Sequence, residues 1–154
     1  MKQIQKASFP VQELKLVYKQ KYKPSDRPKI NSSQDCYNVL LSQWNTEIMG
    51  FIEEFKILLL NRANRVIGCY DVSTGGTCGT VADPKVIFAV ALKCGASAII
   101  LGHNHPSGNL KPSQADINLT QKICSSGSML DIAILDHIIL SSEGYFSFAD
   151  EGFM

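Results

Sequence analysis

His103 and His105 stand one residue apart in LGHNHPSGNLKPSQAD, residues 101–116, and the same stretch carries Ser113 and Asp116. The chain has 3 histidines in all, so two of them share this one stretch. In an extended segment residues i and i+2 project to the same side, so both imidazoles can aim at one point. Asp116 falls in the first turn of the helix that Ser113 opens. The loop before it, PSGNLKPSQA, has two prolines and a glycine and can fold that turn back over the rings. Two imidazoles and a carboxylate make three ligands and leave Zn²⁺ a fourth position for water, the open coordination of catalytic zinc. No cysteine is near enough in sequence to close a structural site. Ser113 and Asp116 are also spaced as S-x-x-D, a plain capping box. On spacing alone, a metal site and a capped helix after a surface loop fit equally well. Ser113 can serve both, because a capping position holds its hydroxyl rigidly.

Other polar stretches need a place. Asp136 and His137 interrupt the apolar residues of LDIAILDHIIL, and a hydrogen-bonded core pair accounts for them better than support of the histidines. The glycines of STGGTCGT, residues 73–80, could form an anion nest, but they match neither GxGxxG nor GxxxxGKS. A substrate-side loop or a plain turn is expected there. Ser107 lacks the GxSxG setting of a hydrolase nucleophile.

The elements that must position these residues follow from periodicity. Loose alternation over residues 14–22 predicts an edge strand. Ser32 and Asp35 have capping-box spacing, and Tyr37, Leu40, Leu41, Trp44 and Ile48 recur at helical intervals, which predicts a helix in the region ended by Gly50. Residues 53–60 and 65–70 read as strands joined by the turn NRAN. Asp83 and Pro84 form an N-cap and first-position pair, opening a helix that Gly95 closes. Residues 97–101 make a short buried strand that ends at the histidines. The helix from Ser113 stops near Gly127, and residues 130–140 and 145–148 are the last strands. This order predicts an α/β domain with a mixed, curved sheet flanked by helices.

The totals set bounds. With 154 residues, 45% of them hydrophobic and 19% charged, the chain fits one globular domain. Its longest apolar runs are far too short to span a bilayer, and MKQIQKASFPVQEL has no apolar core of a secretory leader, so no membrane role is expected. The 5 cysteines include no CxxC pair, which predicts buried free thiols in a reducing cytoplasm. Net charge is +1, yet eight of the 15 Lys/Arg fall within residues 1–30. That basic segment can meet nucleic acid or an acidic partner; a lysine-rich solvated edge strand explains it as well.

At this point H-x-H-P followed by S-x-x-D resembles the JAMM motif of the JAB/MPN+ metalloproteases. HNHPSG, LKPSQAD, LDHIIL and YFSFADEG resemble the RadC-like branch in particular. The similarity runs from Ile30 to the end and takes in EEFKILLLNRANRVIG and STGGTCGTVADPKVIFAVALKCGASAII. It divides the chain into a basic segment, residues 1–29, and a RadC-like domain, residues 30–154. The resemblance implies a JAB/MPN-type, cytidine-deaminase-like fold and zinc held by His103, His105 and Asp116. It also implies a glutamate base on an earlier strand and a serine that supports the intermediate. Ser113 matches the serine. Glu53 and Glu54 compete for the base, on opposite faces of their strand; the family's E-x-F pattern favours Glu53, with Glu54 in reserve. Three departures stand out. Asn104 replaces the Ser or Thr common in eukaryotic members. Residues 1–29 do not resemble the helix-hairpin-helix region often preceding the domain. The insertions that hold ubiquitin in some relatives have no counterpart.

The implied activity is zinc-dependent hydrolysis of a peptide or isopeptide bond. Glu53 would take a proton from water and return it to the leaving amine, while zinc and Ser113 stabilise the oxyanion. A nucleobase deaminase is excluded, because H-x-E and P-C-x-x-C are absent. The alternative is a DNA-associated accessory protein of the RadC type, serving DNA repair or mobile elements, with a non-catalytic metal. Only the basic residues 1–29 support it, since no DNA-reading motif is recognisable. A third reading is an interaction module in which residues 14–22 pair with another chain. None of these motifs encodes an oligomeric state.

Overall fold

Two apolar runs, β1 (Glu54–Leu60) and β3 (Ala98–Asn104), are buried along their whole length, as central strands covered on both faces must be. The computed structural model describes residues 15, 17, 19–76 and 79–154. The remaining elements are α1 (Ser33–Ser42), β2 (Val66–Thr74), α2 (Pro84–Cys94), α3 (Gln114–Met129), β4 (Ala133–Leu140) and β5 (Tyr145–Ser147). The sheet order is β2-β1-β3-β4-β5. β1 runs antiparallel to β2 and β3, β3 parallel to β4, and β4 antiparallel to β5. The chain is therefore an α/β protein with a mixed sheet, as its sequence implies.

Strand parity sorts the core into two layers. On one face Leu58 and Leu60 of β1, Ala98 and Ile100 of β3, and Ile138 and Leu140 of β4 pack against Cys36, Tyr37 and Leu40 of α1. On the other, Phe55, Ile57 and Leu59 with Ile99 and Leu101 pack against Ile87, Phe88 and Ala91 of α2 and Ile123 of α3. Phe55 pairs with His103 in the antiparallel register, so odd-numbered residues at this end of both strands share the α2/α3 face. Gly102 belongs to the α1 face, where an added Cβ would come within 2.8 Å of Leu40 Cδ1; the missing side chain lets α1 sit close.

Several elements differ from their expected bounds. Of residues 14–22, Leu14, Leu16 and Tyr18 lie outside the described residues, and those described form no strand. The edge strand expected over residues 14–22 thus falls partly outside the described residues. β3 continues through His103 to Asn104 instead of ending at Leu101, so His103 is a strand residue with a fixed direction. α3 runs past Gly127 to Met129. There the missing Cβ admits the Ile132 carbonyl, which a side chain would meet at 2.5 Å, and Asp131, at φ 54°, makes the reversal.

α1 ends at Ser42, although the helical spacing continues to Ile48. Asn104 holds the chain beyond that end. Its Nδ2 donates to the Met49 carbonyl at 2.7 Å and the Ile52 carbonyl at 2.9 Å. Its Oδ1 accepts from Trp44 Nε1 at 3.2 Å and Glu54 N at 2.8 Å. One buried amide thus pegs residues 44–54 to the end of β3. Asn104→Ala would strand three buried polar groups and one partly buried carbonyl, at about 1–3 kcal/mol for each buried group before relaxation. A loss of about 3–5 kcal/mol in urea unfolding is expected; a loss below about 1 kcal/mol would show the peg to be dispensable.

The described cysteines, Cys36, Cys69, Cys94 and Cys124, are free thiols, while Cys78 lies outside the described residues. Burial pushes the Cys36 thiol up to about 12. Alkylation at pH 8 should therefore leave Cys36 unmodified until the protein is denatured, because the thiolate is the reacting form. Among the described residues no helix is long and apolar enough to cross a membrane.

Candidate metal centre

Three elements deliver the site. β3 places His103 on the α2/α3 face, and the chain leaves the strand still extended enough for His105 to follow on the same side. Ser113 then caps α3, so Asp116 occupies the helix's third position. His103, His105 and Asp116 each offer a ligand atom, and these atoms lie within 4.8 Å of one another. His103 Nε2 is 3.0 Å from His105 Nε2 and 3.3 Å from Asp116 Oδ1, and His105 Nε2 is 3.6 Å from Asp116 Oδ2.

The donor set fits a cation. His105 Nδ1 lies 2.6 Å from the Asn109 carbonyl, which can only accept, so that nitrogen carries the ring's proton. The Nε2 of the neutral ring is then a bare lone pair aimed at a carboxylate and at a second imidazole nitrogen. Acceptors converging without a donor repel one another unless a proton or a metal ion stands between them. The electrostatics agree. Burial opposes the charge on Asp116, but hydrogen bonds and charge from His103 and His105, with help from Ser113, hold its carboxyl far below the usual carboxylate range. The hydrogen bond to Asp116 raises the His105 pKa against the effect of burial, and the charge of Glu53 adds to the rise.

The capping box and the candidate metal site are one structure. Ser113 N and Oγ donate to Asp116 Oδ2 at 2.7 and 2.6 Å, and Asp116 N donates back to Ser113 Oγ at 3.2 Å. Capping thus fixes the ligand carboxylate while leaving Oδ1 turned to His103. The alternatives left open by spacing do not compete.

The two glutamates part as parity requires. Glu53 immediately precedes β1, where alternation puts it on the face of Phe55 and its charge acts on His105; its Oε1 accepts from Thr80 N at 3.1 Å, and its backbone is tied to Gly75 and Gly76. Glu54 turns to the α1 face, 3.4 Å from Lys56 Nζ, which also pairs with Asp71 at 2.7 Å. The glycine-rich loop therefore acts as a holder for Glu53 through Gly75, Gly76 and Thr80; Thr77 and Cys78 lie outside the described residues.

Asp136 and His137 are a buried, hydrogen-bonded pair, with His137 N donating to Asp136 Oδ1 at 2.7 Å, but their side chains turn to opposite faces. Asp136 Oδ2 accepts from Ser147 Oγ at 2.7 Å and Oδ1 from Ala149 N at 3.0 Å, binding the turn after β5. His137 points to the other face, where its Nε2 meets His103 Nδ1 at 2.8 Å. Its ring stacks on Phe148 at 4.6 Å, and burial pushes its pKa well down. The favoured expectation of a hydrogen-bonded core pair holds, and the His137 ring in addition backs His103. Sequence reasoning missed this second contact because it depends on the parallel register that sets His137 beside Leu101.

A family model described as RadC-like JAB domain matches residues 30–153. A UPF0758 protein from Flavobacterium johnsoniae is 45% identical over 126 residues, covering 80% of this chain and 53% of that protein. Another from Porphyromonas gingivalis is 46% identical over 129 residues, 83% of this chain and 56% of its own length. A third, from Alkaliphilus metalliredigens, is 38% identical over 128 residues, with shares of 82% and 53%. The chain spans about half the length of these curated relatives, and the name UPF0758 states no activity, substrate or partner.

Proposed function

The chain belongs to the RadC-like JAB domain family, and from that premise we propose that it is a zinc-dependent hydrolase cleaving a peptide or isopeptide bond. The observation that carries the proposal is the convergence of three acceptor side chains on one point with a carboxylate, Glu53, on the same face. His103, His105 and Asp116 would hold zinc, which would supply Lewis acidity enough to lower the pKa of water to about 7 and polarise a carbonyl. Glu53 is the proton carrier: it receives the proton of the attacking water and delivers it to the leaving nitrogen. The hydrogen bond from Thr80 N to Oε1 leaves its other oxygen for that exchange. Ser113 stabilises charge on the substrate oxygen. Its backbone N–H keeps hold of Asp116 Oδ2, which frees the hydroxyl to turn.

The basic segment remains the proposed contact for nucleic acid, with a cytoplasmic location in keeping with the free thiols. The test pairs the two activities. Zinc-loaded protein should cleave a library of peptides and isopeptide-linked conjugates, and chelation should stop it. Salt-dependent DNA retention that vanishes on deleting residues 1–29, with no cleavage of any conjugate, would replace hydrolysis by the accessory role.

A further inference from the structure

Behind His103 runs a line of buried polar atoms whose hydrogen-bond directions are all fixed once the first is. Only Nε2 of His103 faces His105 and Asp116, so a His103 that serves as a ligand carries its proton on Nδ1. The partner of that proton, at 2.8 Å, is His137 Nε2, which must then accept. His137 in turn carries its proton on Nδ1, 2.6 Å from Thr120 Oγ1. Thr120 has one proton, and it points at the Asp116 carbonyl, 2.6 Å away, which can only accept. Every group is satisfied, and Thr120 and His137 are both buried away from water that could offer another partner.

We infer that His137 and Thr120 are positioning residues that lock His103 in its metal-binding tautomer and tie it to the main chain of Asp116. The inference rests on the ligand role of His103 proposed above, but not on hydrolysis. The line begins at one ligand and ends at the backbone of another, so it couples the ring on β3 to the helix that bears the carboxylate. Phe55, parallel to the His103 ring at 5.9 Å, and Phe148 against His137 hold both planes in the required orientation. Partners of this kind behind a ligand are worth about 10–100-fold in metal affinity. The spacing signal was present in part, since Thr120 lies one helical turn beyond Asp116.

Two measurements test this. Long-range ¹H–¹⁵N spectra of the zinc-loaded protein should show His137 protonated on Nδ1 with Nε2 bare; protonation on Nε2 would overturn the relay. Competition with a chromophoric chelator should show Thr120→Val binding zinc about tenfold or more weakly, with Thr120→Ser restoring the affinity. Equal affinities for wild type and Thr120→Val would also overturn it. Cleavage of a conjugate with His137 protonated on Nε2 removes the relay alone. Zinc uptake with the stated tautomer but no cleavage removes the hydrolase alone, and a wild type that takes up no zinc removes both.

Discussion

Glu53→Gln is expected to reduce turnover by about 10²–10⁴-fold while the protein still takes up zinc, because it removes a proton carrier and no ligand. Glutamine keeps an oxygen to accept from Thr80 N, so the backbone ties to Gly75 and Gly76 should hold and the site keep its shape. The matched control is Glu54→Gln. Glu54 is buried on the opposite face beside Lys56, and its Oε2 has no hydrogen-bond partner among the described residues. Losing its charge should alter stability and leave turnover within a few fold. Turnover and bound zinc measured on both variants decide the assignment. A fully active Glu53→Gln would remove Glu53 from the chemistry, and an inactive Glu54→Gln with bound zinc would move the role across the sheet.

The comparison also shows what the sequence could and could not reveal. That Glu53 and Glu54 oppose each other follows from period 2 alone. Which of them shares the histidines' face depends on the pairing of Phe55 with His103, a register between strands far apart in the chain. The grouping of His103, His105 and Asp116 was legible because the three are close in sequence and each sits on a local device: an extended i, i+2 pair and an S-x-x-D cap. The contact of His137 with His103 was hidden because its partner is 34 positions away and is reached only through a parallel crossover. The end of α1 was misread for a related reason. Trp44 satisfies helical spacing and is buried, yet its indole answers to Asn104 and not to a helix face. Periodicity reports which residues face inward; it does not report a distant amide that competes for the backbone.

Zinc itself should stabilise the wild type strongly and His105→Ala hardly at all. An ion that binds only the folded chain adds RT ln(1 + [L]/Kd), about 4 kcal/mol when zinc stands a thousandfold above its Kd. For a chain of 154 residues that converts to a rise of roughly 8–16 °C in Tm. His105 is the ligand to remove. Its ring is partly exposed and its hydrogen bond to Asn109 is worth only about 1 kcal/mol, so the metal-free variant should melt near the wild type. His103→Ala would instead open a hole beside Phe55 and strand His137, mixing loss of a ligand with loss of core. Calorimetry with and without zinc separates these effects. A His105→Ala protein that keeps the whole shift would place the ion elsewhere. A wild type that shows no shift would mean that a proton, shared between His105 and Asp116, is all that holds the three acceptors together.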